Sequence, residues 1–300
     1  MRLDKGMQGG PLVSIVTPSL NMASFVEETI CSVLDQDYPN IEYIVLDGGS
    51  TDGTLDILKR YTGRLAYTSE PDSGQAQAVN KGFERTRGSI FTFLNADDTL
   101  LPGAVTAIVE AFSRNPQTGV IYGDAWYTSE DGTRIQPYPV EEYDAANLSR
   151  RCFICQPAAF LRREALAGVG MLDTSLHYSL DYDLWIRLAQ LVPMIKINTF
   201  LATSRIHPRN KTLGQMGPAL RETIRTLRRH YGYVPCNWLY GYCHHSRTGQ
   251  SLVFERPKLS ALSAGRALAL GARYNWRSPA RYSRDIVRTA LQGLNLAAGA

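Results

Sequence analysis

Two adjacent carboxylates, Asp97 and Asp98, follow directly on the apolar, β-prone run Phe91-Thr92-Phe93-Leu94, with Asn95 and Ala96 between. Like charges at that spacing repel, and a divalent cation or a cationic transition state relieves the repulsion. Further residues able to do chemistry fall in short loops: Pro18, Ser19 and Asn21; Asp47, Gly49 and Ser50; Asp72 and Gly74, with Asn80 after them; and the pair Asp181 and Asp183. His207 lies among Arg205, Arg209 and Lys211, a group suited to metal or phosphate contacts. Cys152 and Cys155 form a CxxC, but the downstream Cys236, Cys243, His244 and His245 lack the spacing of a zinc site.

The elements that must position these groups can be read from the pattern. Leu12 to Thr17, Ile41 to Leu46, Leu65 to Ser69 and Phe91 to Leu94 read as strands, each ending in one of the polar loops. Helices between them are predicted after Ser24 as a cap, after Thr51 or Asp52 as a cap, from Gln75 to Thr86, and from Pro102. Alternation of this kind predicts an α/β protein with a mostly parallel central sheet flanked by helices, and ligands gather at the C-terminal ends of such strands. Beyond Asp124 the pattern shifts to short strands and turns, with Glu130-Asp131-Gly132 as a hairpin signal. A helix starts near Asp181, and Met194 to Thr203 reads as a strand.

Residues 201–300 carry 16 Lys/Arg against 3 Asp/Glu, while the first 200 carry 16 against 25, so the two regions have different partners. The basic end reads as helical. Leu220, Ile224, Leu227 and Tyr231 form one apolar stripe, and Tyr282, Ile286, Ala290 and Leu294 form another, each beside arginines. Such helices fit peripheral contact with a membrane surface. Residues 1–10 lack the apolar core of a secretory signal, and no apolar run spans a bilayer. The expectation is therefore a cytoplasmic chain with reduced cysteines, peripheral at most on the inner face of the cell membrane, without a nucleic-acid-binding module.

Six segments in order then resemble the family 2 inverting glycosyltransferases with the GT-A fold: Thr17-Pro18-Ser19-Leu20-Asn21; Asp47 to Thr54; Asp72-Ser73-Gly74 with Asn80-Lys81-Gly82; Leu94 to Asp98; Asp181 to Trp185; and Arg205-Ile206-His207. The resemblance implies a GT-A catalytic domain over 11–213 and a C-terminal helical extension over 214–300. It implies a sugar transferred from a nucleoside diphosphate donor, a UDP-sugar by expectation, to a glycan or polyprenyl-linked acceptor in cell-surface polysaccharide, such as lipopolysaccharide, biosynthesis. Donor contacts fall to Pro18, Ser19, Asn21, Asp47, Gly49, Ser50, Asp72, Gly74, Asn80, Asn95 and Asp97. Asp98, Asp97 and His207 match positions for a Mg2+ or Mn2+ ion, Asp181 matches the general base, and Asp183 is the alternative base. Trp126 and Trp185 read first as packing residues; with Gln156, Arg205 and Lys211 they are also candidate acceptor or phosphate contacts.

The sequence departs from the family pattern at Gly48, where a second Asp is frequent, at Asn95, the first acidic position of the metal motif, and at Leu180, where Glu is common. Those departures keep open a non-catalytic nucleotide-sugar-binding or scaffold protein. A sugar-phosphate nucleotidyltransferase is the weaker alternative, because Pro18-Ser19-Leu20-Asn21-Met22 supplies no Gly-rich basic phosphate loop.

Overall fold

The computed structural model describes residues 10–252, 254 and 259–292. The signal-peptide reading of residues 1–9, and Leu294 as the last apolar step of its helix, lie outside them. The chain forms two compact units. One comprises the chain up to Tyr138 with Ile154–Thr174 and Arg187–Arg205; the other comprises Pro139–Phe153, Ser175–Ile186 and the chain from Ile206 onward.

In chain order the elements are β1 (Val13–Ser19), α1 (Val26–Leu34), β2 (Ile41–Asp47), α2 (Thr54–Arg60), β3 (Ala66–Ser69), α3 (Gln75–Arg85), β4 (Ile90–Phe93), β5 (Thr99–Leu100), α4 (Ala104–Arg114), β6 (Val120–Thr128) and β7 (Arg134–Pro137). There follow α5 (Ala145–Leu148), a 3-10 turn (Gln156–Ala158), β8 (Ala159–Arg162), α6 (Arg163–Gly168), α7 (Leu180–Ala189), β9 (Met194–Arg205), α8 (Lys211–Gly214), α9 (Met216–Tyr231), α10 (Cys236–Thr248), α11 (Ala261–Tyr274) and α12 (Pro279–Gln292).

Among the described residues all nine strands join one sheet in the first unit, ordered β3-β2-β1-β4-β8-β6-β9-β5 with β7 on β6. β1, β2, β3 and β4 pair in parallel, as strand-helix alternation requires. Across β8 the pairing turns antiparallel on both sides, while β6 and β9 run parallel. β1 is buried at every position and β4 likewise, which explains their unbroken apolar reading. Gly82 lets α3 lie close on β1: a Cβ there would stand 2.4 Å from a Val16 methyl.

Local starts differ from expectation in three places. Phe25, not Ser24, occupies the N-cap of α1. Gly53 is the N-cap of α2, with Asp52 Oδ1 one step earlier accepting the Thr54 N–H at 3.1 Å. Pro102 precedes α4, whose N-cap is Gly103 at φ 78°, because only glycine adopts that turn without strain. The hairpin signal is present: Gly132 closes on Ser129 between β6 and β7.

In the second unit α9 buries Leu220, Ile224 and Leu227, as its stripe predicts. α12 does not follow its apolar pattern. Its buried positions are Tyr282, Asp285 and Thr289, whereas Ala290 is exposed. The cause is Arg150, whose guanidinium pairs with Asp285 and donates to Thr289 Oγ1, so a charge-assisted contact overrides the periodicity. Among the described residues no helix is long and apolar enough to cross a membrane.

Candidate active site

In the first unit the loops after β1, β2 and β3 are built around Asp47. This carboxylate is almost wholly buried, and it accepts the N–H groups of Gly49 (3.1 Å) and Ser50 (2.9 Å) and the hydroxyls of Ser50 and Ser69 (2.6 Å from Ser69). So many donors commit Asp47 to shaping the loop. Asn21, in the left-handed region at φ 54°, joins the loops: its N–H donates to Ser50 Oγ at 2.7 Å and its Oδ1 accepts from the Thr51 N–H at 2.9 Å.

Gly48 donates its N–H to the Ser19 carbonyl, and a Cβ at this position would stand 3.0 Å from Asp72 Oδ2. The carboxylate of Asp72 thus lies over the backbone of residue 48, in the space a side chain there would need. Asp72 Oδ1 accepts the Gly74 N–H at 2.8 Å. Ser19 Oγ is buried and takes no hydrogen bond among the described residues, so β1 ends on an unsatisfied polar atom beside Gly48.

Asp98 sits at the tip beyond β4, only 4% exposed. Its Oδ1 accepts the Arg205 N–H at 2.9 Å and its Oδ2 the Asn95 Nδ2 at 3.2 Å, and among the described residues no cationic side chain forms a salt bridge with it. Burial first, and then the charge of Asp97, raise its pKa well above the ordinary carboxylate value. The Asn95 amide is oriented by Gln75 Nε2, which donates to Asn95 Oδ1 at 2.6 Å. Asparagine here adds a donor where a third carboxylate would add repulsion.

Several expected contacts are used inside the fold. Asn80 gives both ends of its amide to the Leu172 backbone, at 2.9 and 3.1 Å, and so clamps that turn. The Arg205 guanidinium is buried and donates to the carbonyls of Asp97 and Glu130 and to Glu28, so it fastens the Asp98 loop instead of standing open to phosphate. Gln156 Nε2 bonds the Phe93 carbonyl, while its Oε1 is buried without a partner. Trp126 stacks on Phe200 with ring centroids 4.6 Å apart.

In the second unit Asp181 and Asp183 separate clearly. Asp183 is fully buried and paired with Arg229 and, at 2.6 Å, with His230 Nε2. A fully buried carboxylate held by a guanidinium and an imidazole is less available to an acceptor hydroxyl than Asp181, which favours Asp181 over the alternative base. Asp181 is half-buried; its Oδ1 accepts the Tyr182 N–H at 2.7 Å, and burial pushes its pKa up to about 6 against smaller lowerings by the backbone N–H groups of Tyr182 and Asp181 and by Lys211. Lys211 Nζ donates to the His177 carbonyl at 2.7 Å. Trp185 is fully buried, so it packs the core and is corrected from acceptor contact. His207 is buried just beyond β9.

The residue that sequence reasoning missed is Glu222. From α9 it accepts the N–H groups of His177, Tyr178 and Ser179, at 3.1, 2.7 and 2.7 Å, and so ties down the turn that launches α7. The available signal was its isolation as the one acidic residue in α9.

Residues 14–170 match the model of "Glycosyl transferase family 2". The chain belongs to glycosyltransferase family 2. An uncharacterized glycosyltransferase of Rickettsia typhi is 28% identical over 215 residues, covering 67% of this chain and 66% of the relative. The putative teichuronic acid biosynthesis glycosyltransferase TuaG of Bacillus subtilis is 46% identical over 93 residues, covering 29% of this chain and 36% of the relative. This family 2 chain spans less than two thirds of the length of the curated relatives it matches. In fold it resembles S. aureus TarS 1–349 in complex with UDP-GlcNAc (TM-score 0.58, 14% identity, 90% of this chain and 82% of that one). The Pyrobaculum calidifontis mannosyltransferase PcManGT in complex with GDP-Man and Mn2+ is similar too, at TM-score 0.55, 19% identity and coverages of 95% and 77%. The fold is GT-A.

The residues at the β4 tip fit a divalent cation. Among the described residues no three His, Cys, Asp or Glu side chains converge. A hard cation needs only one or two carboxylates when substrate phosphates complete its shell. Asp98, with lone pairs left beyond its two N–H contacts and a like-charged neighbour, meets that need.

Proposed function

We propose that this chain is a metal-dependent inverting glycosyltransferase that moves a hexose or N-acetylhexosamine from a nucleoside diphosphate donor to a glycan or lipid-linked acceptor in cell-surface polysaccharide biosynthesis. The observation that carries this reading is the buried Asp98 carboxylate beside Asp97, raised in pKa and in no salt bridge among the described residues, in a family 2 chain. Asp98 and Asp97 would hold Mg2+ or Mn2+. When bound, the ion supplies a Lewis acid that neutralises charge on the departing diphosphate.

The donor loops contribute through their backbone and buried polar atoms. Asp47 fixes the loop, Ser19 Oγ and Gln156 Oε1 are unsatisfied groups that ligand hydroxyls or N–H groups can meet, and Asp72 over Gly48 presents a carboxylate to base N–H groups. A uracil N–H suits that acceptor, which supports a UDP-sugar. Asp181 takes the proton of the acceptor hydroxyl as its oxygen bonds the anomeric carbon and the bond to the diphosphate breaks. A pKa near 6 suits this role, because the group is ionised at neutral pH yet more basic than a solvated aspartate. Glu222 positions it. Exposed Leu259, Leu262, Leu268 and Trp276 among the arginines of the second unit support contact with an anionic membrane where a lipid-linked acceptor resides.

The test is a panel of nucleotide sugars assayed for donor hydrolysis with and without Mn2+. One sugar nucleotide should be hydrolysed only with metal, and Asp98→Ala should remove that activity. Turnover that persists in Asp98→Ala, or in EDTA, overturns the reading.

A further inference from the structure

The second unit contains a cavity of about 320 Å³ with a strongly basic wall. Arg150, Arg281, Arg284 and Arg288 line it, with Asp285 as the single lining carboxylate. Asp285 is already spent: it pairs with Arg150, and its Oδ2 accepts the Cys236 N–H at 2.6 Å. Positive charge is therefore in surplus. The crowding is felt at Arg150, whose pKa is pushed down first by burial and then by Arg288.

A second, independent feature lies in the same wall. Tyr233 is 3% exposed, lines the cavity, and carries a hydroxyl with no hydrogen-bond partner among the described residues. Burial pushes its pKa up to about 12, so the phenol remains a donor at neutral pH. The Arg281 guanidinium lies 4.2 Å from the centre of its ring and holds the ring in place. A buried polar donor left unpaired is unfavourable, and a bound acceptor relieves that cost.

We propose that this cavity binds the phosphate or diphosphate group of an anionic ligand. Planar guanidinium groups and a phenol O–H are the donors that tetrahedral phosphate oxygens use, and charge surplus favours the fully ionised form. A cavity of this size accommodates more than one phosphate group. The site uses neither Asp98 nor Asp181, so it stands apart from the donor reading.

The experiment titrates the full chain with inorganic pyrophosphate in EDTA by calorimetry, and in parallel measures co-sedimentation with phosphatidylglycerol-containing vesicles against phosphatidylcholine vesicles. Arg281 and Arg284 are exposed, so Arg281→Ala/Arg284→Ala leaves the fold intact. The expected result is saturable binding weakened about ten-fold or more by that pair, several-fold by Tyr233→Phe, and little by the charge-matched exposed pair Arg225→Ala/Arg273→Ala. Saturable pyrophosphate binding assigns the site to a soluble phosphate ligand. Vesicle binding alone, with the same variant dependence, assigns it to a lipid headgroup. The proposal is overturned if neither probe binds, or if both arginine pairs lose binding equally. Donor affinity with Mn2+, measured on the same variants and unchanged, separates this result from any failure of the transferase reading.

Discussion

Asp98 at the tip of β4 and Asp181 at the start of α7 both hold their protons more tightly than a solvated aspartate, yet the surroundings that do this differ. At Asp98, burial is joined by the charge of Asp97, and the carboxylate is braced by two N–H donors from Arg205 and Asn95. At Asp181, burial outweighs the backbone N–H groups of Tyr182 and of Asp181 itself and the charge of Lys211, all of which pull the other way. The first environment rewards an added cation. The second leaves a single carboxylate able to pick up and release one proton near neutrality. Two similar acids are thus set in different electrostatic surroundings by what stands within a few ångströms of each, as the proposed roles of ion holder and base require.

Substitution should break this contrast most sharply. Asp181→Asn should lower kcat by about 10²–10⁴-fold while leaving Mn2+-dependent donor binding intact, whereas Asp98→Asn should remove that binding, as calorimetry with and without Mn2+ would reveal. If both variants lost donor binding equally, the division of labour would be wrong.

Glu222→Gln should lower kcat by about ten-fold with donor KM nearly unchanged, because three backbone N–H contacts to the turn before α7 lose their charged acceptor. Steady-state kinetics that put the loss in KM instead would remove Glu222 from the positioning role. On the donor side, Gly48→Asp would put a Cβ 3.0 Å from Asp72 Oδ2 and bring a second negative charge beside it, and should raise donor KM several-fold with kcat little changed.

The pH dependence sharpens the comparison further. With a pKa near 6, Asp181 is protonated in acid, so kcat/KM should fall about ten-fold per pH unit below pH 6 and lie flat above it. Stability carries the smallest signature. A carboxylate whose folded pKa is raised from 3.8 to about 6 binds more protons folded than unfolded in that window, so its ionisation destabilises the fold as pH rises through it. Asp181→Asn should therefore melt a few degrees higher than the parent at pH 8, with the gap closing below pH 4.

Much of this was legible in the chain itself. Strand-loop-helix alternation is local, since each polar loop directly follows its apolar strand, and Asp47, Asp72 and Asp98 fall at strand ends or in the loops that follow. The departures at Gly48 and Asn95 were visible too, although their meaning was not. Gly48 makes room for Asp72, which lies 24 positions along, and Asn95 donates to Asp98 while Gln75 orients it. The α12 stripe was misjudged because Arg150, far away in sequence, draws Asp285 inward.

Residue order alone determined the element sequence, the parallel first half of the sheet and the positions of the acids, because apolar periodicity and turn residues act over a few residues. Only the tertiary structure decided which acids remain available. Asp183 is paired with Arg229 and His230, 46 and 47 residues away, while Asp181, two residues earlier, forms no salt bridge among the described residues. Pairing and burial fall off within a few ångströms, and the groups that come that close are chosen by the packing of distant helices, which no local pattern encodes.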